Sequence, residues 1–570
     1  MATSKKLVLF VIMLTAVLIT AVSYFLIYKK AESKIVESKM FLASIYNNLE
    51  TYEDIFSKLP IAEKVETKAG IISHHFLAKD LIAEFYNKTG NDKISTIFLI
   101  SPDHYNHFYS SNTLAYTSYA SWNTPYGELQ PNKKVIDSLT EQGSVAISDS
   151  ILGLEHGIYI EVPFIKKFFP NAKIVPLIVD STTNYSQFLA LGSQLNNLAA
   201  DNAFLVVSSD FSHNLTASEA SVADKKSVEI LKNLSTNDLD KVTNDCKQCL
   251  AVLSGFLGDE KYKFNLIDNK NSFDISREDK NSVTSYVSGF YAKKTDLEIL
   301  FTGDLMFDRG IRHYANKNGS NEFIFDKIYP TLANADLVVS NLEGPITDNK
   351  SISSGTEPGS SNNYIFTFDK SVANTLFAEN IKLVDLGNNH ILNFHNAGVK
   401  STEKYLADAG VEYFGSPNGN KSIIKNVGGF KIAFVSYNEF AESTNLDQAQ
   451  TISEIQKLKT QADLTIVFCH WGVEYTAEPT EAIKDLAHQF INAGGDVIIG
   501  SHPHVKQSTE IYNNKKIYYS LGNFVFDQYF DEDVRNGLGV ILKIDPETKK
   551  LEFEDLNFYL QSGGQTIIKE

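Results

Sequence analysis

Residues 7–28 form an apolar stretch interrupted only by Thr15, Thr20 and Ser23, with Lys5 and Lys6 before it and Lys29 and Lys30 after it. As a helix these roughly 22 residues reach about 33 Å, enough to cross a bilayer core. The expectation is one transmembrane helix forming a membrane anchor over residues 1–30. The alternative is a signal peptide cut near Ala21, Val22 and Ser23. Lysines on both flanks leave the orientation open. Beyond the anchor, Ile35, Leu42, Leu49 and Phe56 recur at heptad spacing, and Ile45, Tyr52 and Leu59 follow the last three at three positions. That spacing predicts a helical stalk over 31–65, through which two copies could pair as a coiled coil. A helix packed on its own domain fits equally well, and Pro60 closes the segment.

After the stalk the pattern alternates short apolar runs with amphipathic stretches. Runs 94–100, 174–179, 204–207 and 283–291 read as strands, and 76–87 and 185–199 as helices, which predicts an α/β domain over 66–294. A second α/β domain, 295–570, carries strands at 297–302, 337–340, 383–386, 432–436, 464–469, 497–500 and 517–521. The linker, 293–296, is too short for free travel, so the two domains are expected to dock.

The 570-residue length agrees with two cores, and 43% apolar with 21% charged residues is an ordinary globular balance. A net charge of −17 argues against a broad nucleic-acid surface, so an anionic substrate must be held locally. Three cysteines are too few for a disulfide scaffold; Cys246 and Cys249 have the spacing of a metal pair, a redox pair or a coincidence.

Chemistry collects after the strands. In the second domain the segments Gly303-Asp304 to Asp308-Arg309, Asn341-Leu342-Glu343, Asn388-Asn389-His390, His470-Trp471-Gly472-Val473-Glu474, Ser501-His502-Pro503-His504 and Gly522-Asn523 place carboxylates, amides and imidazoles where apolar runs end. These donors hold Mn, Fe or Zn, and four of the 13 histidines gather in this set. The combination resembles the CapA branch of the calcineurin-like phosphoesterase superfamily over most of residues 297–530. The resemblance implies an αββα sandwich in which Asp304, Glu343, Asn389, His470, His502 and His504 ligate two divalent metals. It implies His390 as a catalytic acid or stabiliser, and Arg309 and Glu474 as contacts to substrate or ligands. Where the family has an Asp three residues after this His, the chain has Asn393.

In the first domain, Ser73-His74-His75, Ser101 to His107, Glu155-His156, Ser208 to His213 and Cys246 form a comparable set. They are open to a mononuclear metal site or a Cys/His nucleophile. The set resembles the Memo-like family, also described as AmmeMemoRadiSam system protein B, over about residues 66–292. The resemblance implies one Fe, Cu or Zn on His74 (or His75), His104 and Cys246, with His156, Asp210 and His213 lining the cleft and Glu155 orienting His156. The family's Gly after the Cys is Lys247 here. A fold relation to extradiol dioxygenases adds oxygen chemistry as an analogy.

Together these readings describe a single-pass membrane protein with extracytoplasmic domains. It would act as a metal-dependent hydrolase on an anionic, phosphate-bearing or capsule-type polymer. Two alternatives stand beside it: a non-catalytic polymer-binding or assembly factor, and a redox-sensing first domain that regulates the second.

Overall fold

The computed structural model of the protein describes residues 40–569 except 47, 63, 91–92, 108–112, 182–183, 200–201, 259–261 and 442–443. The expected anchor, 1–30, lies outside the described residues. Among the described residues no helix is long and apolar enough to cross a membrane.

The first domain is built on parallel strands Thr67–Ile72, Ala203–Ser208, Thr96–Pro102 and Lys173–Val179, adjacent in that order. Their runs of Ile, Leu, Val and Phe are buried throughout because helices cover both faces. Alternation divides them between two apolar layers. Phe98, Ile100, Leu205 and Val207 meet helices Tyr185–Ala199 and Lys247–Leu257, while Ile97, Leu99, Phe204 and Val206 meet helix Lys79–Lys88. The first two helices cross closely through glycine: a Cβ at Gly192 would lie 2.0 Å from the Val252 carbonyl oxygen, and one at Gly255 2.0 Å from that of Leu189. The long strand Val283–Lys293 pairs antiparallel with Thr67–Ile72 and carries Tyr262–Asn271.

The stalk expected over 31–65 is not what its described part forms. Strand Phe41–Ala43 pairs with Ser121–Thr124, and helix Leu49–Phe56 buries Tyr52 and Ile55 in the first domain's core. The heptad spacing reflects one apolar helix face meeting Phe164 and Tyr126.

In the second domain each run read as a strand overlaps one in the structure, although 517–521 is strand only as far as Tyr518, and the strands are distributed over two sheets. One runs Glu412–Phe414, Leu383–Asp385, Leu337–Leu342, Leu297–Leu305, Asn536–Ile544, Leu551–Leu560 and Thr566–Ile568. The other runs Ser422–Val427, Phe430–Asn438, Leu464–His470, Val497–Ser501, Lys515–Tyr518 and Thr509–Tyr512. Ile299, Phe301, Val339, Phe434, Phe468 and Ile499 fill the space between them. Helices Ser371–Ala378 and His395–Ala409 cover one outer face, and Thr444–Leu458 and Glu481–Ala493 the other. The layers are therefore helix, sheet, sheet, helix.

The domains dock closely. Asn334 exchanges two hydrogen bonds with the Leu266 backbone (2.7 and 2.9 Å), and Tyr329 and Ala333 enter the first domain's core. Buried Lys225 pairs with buried Glu379 and lies 4.8 Å from the Tyr329 ring centre, and Lys382 reaches Glu229 at 2.8 Å.

Candidate metal centres

The second domain's donors meet at one end of the two sheets. Asp304 and Glu343 come from the ends of adjacent parallel strands in the first sheet, and Asn389 and His390 follow Leu383–Asp385. His470, His502 and His504 come from two adjacent strand ends of the facing sheet. Asp304, Glu343, His470, His502 and His504 are all buried. Their ligand atoms form two groups, Glu343 with His470 and His502, and Glu343 with Asp304 and His504; within each group the atoms lie no more than 4.8 Å apart. Glu343 is common to both. His502 and His504 hold backbone φ of 96° and 58°, a region that costs side-chain-bearing residues about 1–3 kcal/mol, and such strain gathers at working sites.

Buried polar atoms in this cleft lack hydrogen-bond partners among the described residues. Both Glu343 carboxylate oxygens are buried with no hydrogen-bond partner, as is His502 Nδ1. Burial, and then Asp304, hold the Glu343 carboxyl well above the usual carboxylate range. Burial pushes His470 well down and His502 down to about 3, so both imidazoles are neutral and offer a lone pair. His504 is pushed up to about 9: burial opposes this, but Glu343 and Asp304 outweigh it. Ser501 Oγ donates to the Cys469 carbonyl (3.2 Å) and lies 3.0 Å from His470 Nδ1. The Asn341 amide nitrogen also lies 3.3 Å from His470 Nδ1, and His470 Nε2 lies 2.9 Å from Asn389 Oδ1, which places the two proposed ligands side by side. The residues fit a metal pair.

Around these donors lie residues that the sequence did not single out. Asn341 donates to Asp304 Oδ1 at 2.7 Å and accepts from Asn388 at 3.0 Å, and Asn523 Oδ1 lies 3.0 Å from His504 Nδ1. All three sit inside the strand-end segments read above, which was the available signal. His390 lies over Phe366 with Nε2 3.8 Å from Glu343 Oε1. Asn393 Oδ1 accepts the Phe366 N–H at 2.8 Å and lies 3.1 Å from His390 Nδ1, so that nitrogen is the donor. Burial brings His390 down to about 4. Arg309 is paired with Asp527, bonded to Asn363 and flanked by the rings of Phe366 and Phe526. Glu474 is exposed at the rim.

The first domain's centre also sits at parallel strand ends. His74, His104 and His156 converge with ring nitrogens within 4.8 Å of one another. Glu155 Oε1 lies 2.6 Å from His104 Nδ1 and 3.2 Å from His156 Nδ1. Asp210 accepts from Ser73 at 2.6 Å and lies 3.6 Å from His74 Nε2. His75 points elsewhere and caps a short helix by accepting the Leu77 N–H at 3.2 Å, so His74 is the inward residue. Cys246, expected as a ligand, is instead in a disulfide with Cys249. The carboxylate beside it, Asp245, faces the histidines: its Oδ2 lies 3.4 Å from His74 Nε2, 3.8 Å from His104 Nε2 and 3.9 Å from His213 Nε2. Burial lowers the His104 pKa, but Asp245 and Glu155 outweigh it and raise it to about 9. Burial and then His74 bring His156 down to about 4.

Known proteins divide at the same linker. The Memo-like protein family matches residues 35–290, and the family of the bacterial capsule synthesis protein PGA_cap matches 298–528. The capsule biosynthesis protein CapA of Bacillus anthracis is 30% identical over 253 residues, covering 41% of this chain and 60% of that protein. The PGA biosynthesis protein CapA of Bacillus subtilis is 31% identical over 248 residues, covering 41% and 64%. A MEMO1 family protein of Methanobrevibacter smithii is 26% identical over 231 residues, covering 37% and 77%. This chain thus spans less than two thirds of either capsule relative. Its N-terminal half resembles the Memo-like proteins and its C-terminal half the CapA proteins, joined in one chain across a linker of a few residues.

Proposed function

We propose that the second domain is a metal-dependent hydrolase of the phosphoesterase type that serves synthesis or anchoring of a capsule- or poly-γ-glutamate-like polymer. In this reading residues 1–30 hold both domains at the outer face of a membrane, and the first domain is a second metal-binding unit. The observation that carries the reading is Glu343, a fully buried carboxylate without a hydrogen-bond partner that belongs to two ligand groups at once. Leaving such a charge unmatched costs several kcal/mol, which a cation offsets.

Asp304, Glu343, Asn389, His470, His502 and His504 would hold two ions of the Mn, Fe or Zn class. Bound there, a metal pair polarises a phosphoryl oxygen and supplies a water-derived nucleophile at neutral pH. Arg309 is fixed by Asp527 and Asn363 before any ligand arrives, so it can receive an anionic group without losing further side-chain freedom. His390 donates from Nδ1 to Asn393, so in its neutral form Nε2 accepts a proton. That geometry suits taking or steering a proton better than giving one to a leaving group.

The same residue favours the second reading. With Asn393 in place of a carboxylate, a neutral amide oxygen meets His390 Nδ1 and burial still brings the imidazole down to about 4, which is what a binding or assembly factor without turnover would show. Hydrolysis of an aryl phosphate by the full chain separates the two. Turnover that needs divalent metal and is lost in His470→Ala supports the hydrolase. No turnover in protein with its metal intact leaves the binding factor.

A further inference from the structure

The backbone before helix Lys247–Leu257 sends two neighbouring side chains in opposite directions. Asn244 accepts the Cys246 N–H at 2.8 Å, and the Asp245 N–H donates to the Asp210 carbonyl at 3.1 Å. This turn aims Asp245 at the cleft. Cys246 becomes the helix cap, where its sulfur accepts the Cys249 N–H at 3.2 Å and is bonded to the Cys249 sulfur. Both cysteines belong to the apolar core with Leu250 and Leu253. A sulfur in a disulfide is not a thiolate, and the thiolate is the form that binds metal.

Asp245 has the properties the cysteine lacks. One oxygen accepts from Ser209 at 2.5 Å, which fixes the carboxylate plane, and the other accepts the Asp210 N–H at 3.1 Å. That second oxygen faces the Nε2 atoms of His74 and His104 at 3.4 and 3.8 Å. These separations are long for hydrogen bonds. Donors about 2.0–2.2 Å from one ion lie about 3.0–3.5 Å from each other, so Asp245 stands within a few tenths of an ångström of that spacing from both histidines. The outer nitrogen of His104 is held by Glu155 Oε1 at 2.6 Å, the arrangement that orients an imidazole ligand. His156, joined to the same carboxylate, stands beside them.

We propose that the first domain binds one divalent metal through His74, His104 and the carboxylate of Asp245, with His156 as an adjacent donor and Cys246 outside the coordination sphere. Two imidazoles and one carboxylate select Fe(II), Mn(II) or Co(II) with open positions, whereas a thiolate would favour Cu(I) or Zn. The site thus departs from the cysteine-containing set implied by resemblance, through a one-residue shift along the chain.

Cobalt loading of the full-length protein tests this. The wild type is expected to show no thiolate-to-cobalt charge-transfer band in the near ultraviolet. Asp245→Asn should bind one equivalent less cobalt than wild type, Asp245→Glu should recover it, and the double variant Cys246→Ser/Cys249→Ser should keep the wild-type amount. A thiolate band in the wild type, or loss of an equivalent in the double serine variant, overturns the proposal. So does full cobalt content in Asp245→Asn. Should Asp245→Asn not fold, the wild-type spectrum and the serine variant still decide.

Discussion

In the second domain the donors lie almost wholly out of solvent and the shared carboxylate, Glu343, has no hydrogen-bond partner among the described residues. In the first domain His104 and His156 keep about a quarter of their side chains exposed, and each carboxylate already has an imidazole or hydroxyl beside it. A third buried carboxylate sharpens the contrast. Glu161, in the first domain, is also fully buried with both oxygens unpartnered, and burial pushes it up to about 8. Tyr86 partly offsets the effect of burial, which still leaves the carboxyl protonated at neutral pH. The same desolvated group has Tyr86 beside it at Glu161 and three imidazoles within 4 Å at Glu343, where the proposed metals would sit. On the proposed reading the second centre relies on its metals to match Glu343, whereas the carboxylates of the first centre already have imidazole or hydroxyl partners.

The strongest way to break that comparison is to empty the second centre. Replacing His502 and His504 by Ala should remove about two metal ions by elemental analysis. Aryl phosphatase activity should fall by more than about 100-fold, beyond what loss of an outer partner costs. Unchanged stoichiometry would show that Glu343 is not metal-held.

The next effect concerns whether the two regions unfold as one body. Glu379→Ala leaves Lys225 buried and unpaired between the domains, which should destabilise the protein by about 3–5 kcal/mol. Calorimetry should show a lower and split transition, while a Lys225→Met/Glu379→Leu double variant recovers most of the loss.

Glu161 tests the proton half of the contrast. Its folded pKa of about 8 lies above the ordinary carboxylate value of 4.5. Below about pH 4.5 both states are protonated and there is no penalty. As pH rises from there toward about 8 the unfolded state releases its proton first, so stability declines. Urea titrations should find Glu161→Gln unchanged near pH 4.5 and more stable than wild type by about 4 kcal/mol at pH 8. A wild-type-like decline in the variant would assign the pH dependence elsewhere.

The smallest effect is at His390. A carboxylate at position 393 would stabilise the imidazolium and let Nε2 give a proton, so Asn393→Asp should raise turnover about 10-fold with metal content unchanged. The basic limb of its pH–rate profile should also move upward, and a variant identical to wild type would remove Asn393 from the catalytic environment.

Much of this was legible in one dimension. Apolar runs at 297–302, 464–469 and 497–500 are strands, and donors following them do converge, because a parallel strand must end at the sheet's edge and the next residues are free to carry chemistry. The heptad-like spacing of Leu49, Tyr52 and Phe56 was equally real, but it reports only that one helix face is apolar, not what covers it. Phe164 and Tyr126 cover it here.

Sequence by itself determined the two-domain α/β plan, the strand ends that carry histidine and carboxylate, and the departure at Asn393. Those features depend on local period and composition, which neighbouring residues set. Tertiary structure alone decided that Asp245 rather than Cys246 faces His74 and His104, that Asn341 and Asn523 support Asp304 and His504, and that Lys225 meets Glu379 across the domains. Each of those pairings is set by strand order and helix packing, because residues distant in sequence meet only when whole sheets and helices bury their faces against one another.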